Sequence, residues 1–349
     1  MHRPSASRIG GSARRARGYA LVIVLWVLAG LTVVAVSVAS NVRSQALGIS
    51  QLRARIEAER AFLGTASRIK VIGHQAQRLA AELHGARGKL HLDGRLTLVP
   101  NAPDQLVLQD AAGLIALRFD ARGLPGLLSA CGAPQESHDV LLDALGDYVD
   151  ADRLKRLNGA EAFEYAAAGR AAPRNAALLS RDEVWRVLGW DAIRAAWGAA
   201  ACDRWVSVRA VGALNQSTAP LEVLQMLGMG SEQAAALINA RESALGISDG
   251  PAAELGTANL ASVLASGRRG VSPVMRVTHL MPSLEWALQY ELEFTGSKPG
   301  GPWQVHELRV VPARVPDRAP KASLPPTDYQ PSEQERVRLN ALSASPFAR

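Results

Sequence analysis

Cysteine is nearly absent from this chain, and so are the signatures of the common enzyme classes. Only two of its 349 residues are cysteines, Cys131 and Cys202. They form no C-x-x-C pair and have no histidine cluster nearby, which argues against a structural zinc site. Outside the cytoplasm they can form one disulfide; two buried thiols fit the sequence equally well. The seven histidines are scattered at 2, 74, 84, 91, 138, 279 and 306. There is no H-E-x-x-H, no G-x-S-x-G and no phosphate loop, so metalloprotease, serine hydrolase and nucleotide chemistry have no foothold. The chain is not expected to be an enzyme.

Acidic residues are missing from the first 18 positions, where Arg3, Arg8, Arg14, Arg15 and Arg17 stand unopposed. They account for most of the net charge of +7. The remainder is close to neutral, so the basic balance is no argument for a nucleic-acid partner of the folded part. From Tyr19 to Val42 charge is absent altogether, over 24 residues. At about 1.5 Å per residue, about 20 apolar residues span a bilayer core of roughly 30 Å. Arginines on the N-terminal flank put that side in the cytoplasm and the body across the membrane.

Three readings fit this start. A secretory signal has an apolar region of about 7–15 residues, shorter than this one, although Val38-Ala39-Ser40 resembles a cleavage site. A plain anchor fits the length. A basic leader cut between Gly18 and Tyr19 leaves a mature chain that begins with the apolar helix. Residues 43–88 are expected to continue that helix in amphipathic form, with Ile49, Leu52, Ile56, Leu63, Ile69, Ile72, Leu79 and Leu83 near helical spacing, ending at Gly85 and Gly88.

The rest divides by periodicity. Residues 89–124 read as short strands, with Asp93-Gly94 as a hairpin turn signal. Residues 125–268 are alanine-rich and helical. Strands return in 269–314. The clearest is Trp286 to Phe294, WALQYELEF, whose alternation predicts a half-buried antiparallel strand. Residues 315–349 are proline-rich and lack an apolar pattern, so disorder is expected there. A strand region split by a helical block predicts an α+β fold with an all-α insertion.

Two stretches of that block, with the N-terminus, carry a family resemblance. One contains Asp147-Tyr148-Val149-Asp150-Ala151-Asp152, Gly159-Ala160-Glu161 with Tyr165, Asn175, and Val187-Leu188-Gly189. The other contains Asn215-Gln216-Ser217-Thr218-Ala219-Pro220. In this order they resemble general secretion pathway protein K, the large minor pseudopilin of type II secretion systems. Tyr148 stands where the family usually has tryptophan, and Ser217 where it has a second asparagine. The resemblance implies a pilin-like long transmembrane helix and a small antiparallel-sheet pilin domain, with a large inserted helical domain of helix-hairpin-helix or SAM-like type. It implies a leader of residues 1–18 cut at Gly18–Tyr19 by a prepilin peptidase, with methylation of the new N-terminus. It places residues 19–42 in the inner membrane of a Gram-negative cell, N-terminus cytoplasmic and body periplasmic. The implied partners are the other minor pseudopilins in a tip complex and the major pseudopilin.

The fifth residue from Tyr19 is Ile23, where most pseudopilins carry glutamate. A carboxylate in the bilayer is costly, about 2.5 kcal/mol or more, unless a neighbour's N-terminal ammonium meets it. A subunit with no neighbour above it needs none, so Ile23 points to the filament tip. The bulk of the insertion points the same way.

Two motifs have competing readings. Residues 213–242, with Leu227-Gly228-Met229-Gly230 at the hairpin, resemble a helix-hairpin-helix. In DNA-binding versions such a hairpin holds a phosphate. Here Glu222, Glu232 and Glu242 surround it and no lysine lies nearby, which favours a packing module. Thr218-Ala219-Pro220 reads as a helix N-cap. The alternative function is therefore a membrane-anchored periplasmic DNA-binding protein. Asp147, Asp150, Asp152 and Glu161 are candidate calcium ligands, since calcium takes six to eight oxygens and the family is associated with that ion. They read equally as a solvated helix end and a cap. Trp185, Trp190, Trp197 and Trp205 are expected in the core.

Overall fold

The computed structural model describes residues 16–74, 77–78, 81–85, 88–100, 105–118, 122–210, 212–244, 271–281, 284–296, 302–315 and 322–324. Residues 1–15 of the expected leader, residues 245–270 and most of the tail lie outside these. Residues 1–60 and 61–349 form two compact units.

Helix α1 (Ala16–His74) opens the chain. It is long and apolar enough to cross a membrane by length and composition. Its most apolar 18-residue window has a mean hydropathy of 2.8 and is unburied. Continuous exposed apolar side chains from Tyr19 onward would be costly in water, and they suit a lipid surround.

Three short strands follow: β1 (Gln77–Arg78), β2 (Glu82–Gly85) and β3 (Gly88–His91). The expected helix to residue 88 is thus corrected: it stops at His74. Leu83 fits either periodicity, but on the β2–β3 ladder it lies opposite Leu90, and both are buried in the sheet core. Gly85 pairs with Gly88 at the turn end of that ladder, so the two glycines close a hairpin and do not cap a helix. Gly73 marks the helix's approach to the sheet: a Cβ there would lie 2.8 Å from the Trp303 ring.

The main sheet uses β4 (Asp93–Leu98), β5 (Gln105–Asp110), β8 (Val274–Leu280), β9 (Trp286–Phe294), β10 (Trp303–Pro312) and β11 (Ala322–Ser323), in the order β10-β9-β8-β5-β4-β11. All pairs are antiparallel except β11 with β4. Asp93-Gly94 is not a hairpin turn. It lies inside β4, where the register with β5 shifts between Asp93 and Leu96, an irregularity that bends a strand without reversing it. Nor is the tail wholly without structure: Leu324 is fully buried, and its N–H donates to Leu98 O at 2.8 Å.

One face of the sheet packs on the last turns of α1. Ala66, Ile69 and Ile72 meet Leu106, Leu108, Met275, Val277, Tyr290 and Leu292. Each large side chain so buried contributes roughly 1.5–3 kcal/mol.

The helical block is inserted between β5 and β8, which are neighbours in the sheet: Asp110 lies opposite Met275. It contains β6 (Ile115–Ala116), α2 (Leu124–Ala130), α3 (His138–Val149), α4 (Ala162–Ala167), α5 (Arg194–Ala199), β7 (Val206–Ser207), α6 (Leu221–Met226) and α7 (Ser231–Ala244), with 3₁₀ turns between. Of the short strands expected over 89–124, the part that follows β5 holds only the two-residue β6 among the described residues, paired in parallel with β7. A core of its own includes Leu124, Leu141, Tyr165, Val187, Trp190 and Trp197. Cys131 and Cys202 are joined as a disulfide across 71 residues.

The block covers the second face of the sheet, which overturns the half-buried reading of β9. Gln289 and Glu291, two of the three polar residues of its alternation, are buried as well, and Glu293 is half-buried. Arg276 Nη2 meets Glu291 Oε1 at 2.8 Å, and its Nη1 donates to the carbonyls of Asp203 and Arg204 at 3.2 Å. Arg181 meets Glu307 at 2.8 Å and donates to Gln289 Oε1 at 2.8 Å. Burial opposes the charge of Glu291, yet Arg276 beside it holds its carboxyl below the usual range. Polar side chains on this face exist to meet the insertion.

Candidate functional site

Gly18, Tyr19 and Ile23 lie on α1, with Tyr19 and Ile23 exposed. They offer no catalytic group. What they present is a continuous apolar helix with no carboxylate at its fifth position from Tyr19.

The acidic residues gather at the end of α3 and the start of α4. α3 stops at Val149, and the chain then runs through an irregular loop to Glu161, the N-cap of α4. A reciprocal capping box fixes that start: the Glu161 side chain accepts from the backbone of Glu164, whose own carboxylate accepts from Glu161 N at 3.0 Å. Carboxylate oxygens of Asp150, Asp152 and Glu161 come within 4.8 Å of one another.

Asp147 is not part of this group, which corrects the four-residue ligand set. It is fully buried, and Arg156 Nη1 donates to its Oδ1 at 2.7 Å. Arg156 also reaches Asp150 Oδ2. The loop passes so close to Asp147 that a Cβ on Gly159 would lie 2.0 Å from its carboxylate. Sequence spacing cannot foresee that an arginine six residues after Asp150 folds back on it.

The remaining three fit a hard cation. Asp150 Oδ1 and Glu161 Oε1 are buried and lack a hydrogen-bond partner. Glu161 is only 8% exposed. Burial, and then the charges of Asp147, Asp150 and Asp152, push its carboxyl up from the usual value. Unpartnered buried carboxylate oxygens are costly, and a divalent cation relieves both the missing partner and the mutual repulsion. Asn175 reaches the same loop. Its Nδ2 donates to Asp152 O at 2.6 Å, while its Oδ1 is buried without a partner. Asn175 has φ +51, a left-handed conformation that asparagine tolerates. Its place in the motif was visible, its role at the acidic group was not.

The Asn215–Pro220 motif turns out to be a clasp. Asp110, at the end of β5, is fully buried. Its Oδ2 accepts from Asn215 Nδ2 at 2.9 Å and Thr218 Oγ1 at 3.0 Å. Its Oδ1 accepts from Ala112 N at 3.1 Å and Ser272 N at 3.0 Å. Asp110 therefore ties both ends of the insertion to the motif. Thr218 does not cap α6; the N-cap is Pro220. Arg241 of α7 donates to Ala219 O at 2.7 Å and is buried, so the cation of the hairpin motif is committed to packing.

No curated protein matches the chain. Among solved structures, the chain is matched by one in "The Crystal Structure of the GspK-GspI-GspJ complex from enterotoxigenic Escherichia coli Type 2 Secretion System". It is 17% identical with a TM-score of 0.44, covering 75% of this chain and 100% of that one. Residues 107–196 match the family described as type II secretion system, protein K. That match covers most of β5, the acidic loop and the insertion as far as Ala196, with Trp185 and Trp190, and over those residues the chain is similar to protein K of the type II secretion system.

Proposed function

We propose that this protein is a minor pseudopilin of a type II secretion system, a structural part of the exporter and not an enzyme. The observation that carries this reading is the protein K family match over residues 107–196, in a chain that opens with a membrane-length apolar helix. A prepilin peptidase removes residues 1–18 between Gly18 and Tyr19. The helix from Tyr19 stays in the inner membrane, with the body in the periplasm, and then packs with the helices of other minor pseudopilins. The disulfide accords with an oxidising compartment.

The protein sits at the pseudopilus tip and primes assembly, with the major pseudopilin added below. Ile23 supports this place, because a tip subunit has no ammonium above it to neutralise a buried carboxylate. Asp150, Asp152 and Glu161, with Asn175, hold calcium, which neutralises the acidic loop and fixes it to α4.

The full chain, solubilised with co-expressed minor pseudopilins, should co-purify with them and leave duplex DNA unbound. Salt-sensitive micromolar DNA binding without partner binding would replace this reading with the helix-hairpin-helix one. Against that alternative stand Glu222 and Glu232 at the hairpin and the buried Arg241.

A further inference from the structure

The acidic loop carries a second feature that cation binding alone does not use. Leu154, Leu157 and Phe163 are 77%, 92% and 80% exposed. Large apolar side chains so exposed are unremarkable singly. Here three fall within ten residues, Leu154 and Leu157 between the proposed cation ligands Asp152 and Glu161 and Phe163 just after Glu161. Arg153 just before Leu154 and Lys155 just after it are exposed too.

The loop is held rigid from beneath. Asn158 N and Nδ2 donate to Asp143 Oδ2 at 3.0 and 3.1 Å. Lys155 Nζ meets Glu164 at 2.7 Å, and Arg156 ties the loop to Asp147. The apolar side chains are presented on a fixed backbone, so little ordering entropy opposes their use.

We propose that this loop docks on an anionic phospholipid surface: calcium held by Asp150, Asp152 and Glu161 bridges to lipid phosphate, while Leu154, Leu157 and Phe163 enter the acyl layer. This rests on the calcium reading above. Asp152 is exposed, so a cation there keeps a side open to a further oxygen ligand, and phosphate oxygen is the hard donor that calcium favours. The exposed Arg153 complements phosphate at headgroup depth. A protein partner is the weaker candidate. Its contact cores are closely packed and depleted in charge, whereas these apolar tips are separated by cations. A fluid acyl phase accepts separate protrusions without a matching shape.

The test uses the full chain, reconstituted through its apolar helix into phosphatidylcholine vesicles. Capture of fluorescent vesicles containing phosphatidylglycerol is then read in trans. Capture should rise about tenfold in millimolar calcium over EGTA, and phosphatidylcholine-only vesicles should not be captured. The variant L154S/L157S/F163S should lose about tenfold in capture while its calcium-induced thermal shift is retained. Glu161→Gln should lose both. Wild-type capture by the triple variant, or no capture in calcium, would overturn the proposal. So would loss of partner pseudopilins from the triple variant with capture intact, which would give the loop to a protein. Co-purification of those partners from the same preparation keeps the outcomes apart: partners bound without vesicle capture sinks the lipid docking alone. Absence of any calcium shift sinks the cation reading with it.

Discussion

The sheet and the inserted helical block share one unit but hold their shape by different means. The sheet relies on regular ladders, with strands up to ten residues long around one apolar core. The block has only two helices longer than seven residues among those described, α3 with 12 and α7 with 14. Helices of six or seven residues are not stable alone. They are fixed by what crosses between them: the Cys131–Cys202 disulfide, Trp197 packed edge-on to Trp185 and Trp190, and side-chain hydrogen bonds such as Trp190 Nε1 to Leu141 O at 2.9 Å. The sheet half would keep its register if one tie were lost. The block depends on its ties.

The junction between the halves should show the largest effect. Arg276→Met leaves Glu291 buried without its cation, and chemical denaturation should show a loss of roughly 3–5 kcal/mol. Removing both charges together, as Arg276→Met with Glu291→Leu, should recover most of that loss. An Arg276→Met protein as stable as the parent would show that the block does not lean on this pair.

Next comes the disulfide. C131S/C202S should cost roughly 2–5 kcal/mol, since the bridge closes a 71-residue loop. Hydrogen exchange should quicken in α2 and the Cys202–Trp205 turn while β9 keeps its protection. Equal loss in both halves would mean that they unfold as one.

The two buried carboxylates sharpen the contrast through pH. Glu291 has a lowered folded value, so its stabilisation is present above the unfolded value near 4.5 and is lost as pH falls through the folded one. Glu161 has a raised folded value. Without a cation its environment costs nothing below pH about 4.5, and stability falls as pH rises through the folded value. Calcium at about 100 times its dissociation constant should therefore add about 2.7 kcal/mol at neutral pH and far less near pH 4. Calcium titration with thermal unfolding at both pH values checks this. Equal shifts at the two, or a full shift in Glu161→Gln, would contradict the site.

The same contrast governs what the sequence disclosed. The α+β class, the membrane-length helix and the strand Trp286–Phe294 were legible, because long runs with one period admit few alternatives. Leu83 fits a helical or a strand spacing, so the turn from α1 into β2 was hidden. The tryptophans at 190, 197 and 205 could be assigned to a core from composition, but not the 3₁₀ turns that carry Trp190 and Trp205 or the six-residue α5 that carries Trp197. At the acidic loop the aspartates were visible. Their division was not: Arg156 claims Asp147, and Asn175 arrives from 23 residues beyond Asp152. Asp110 was silent because three of its four partners, Asn215, Thr218 and Ser272, lie more than a hundred residues away.

The whole account turns on whether the apolar helix is kept and the basic leader removed. N-terminal sequencing of the mature protein from membranes tests this directly. The account predicts a start at Tyr19. A start near Asn41, which discards the helix, or at an uncut Met1, would contradict it.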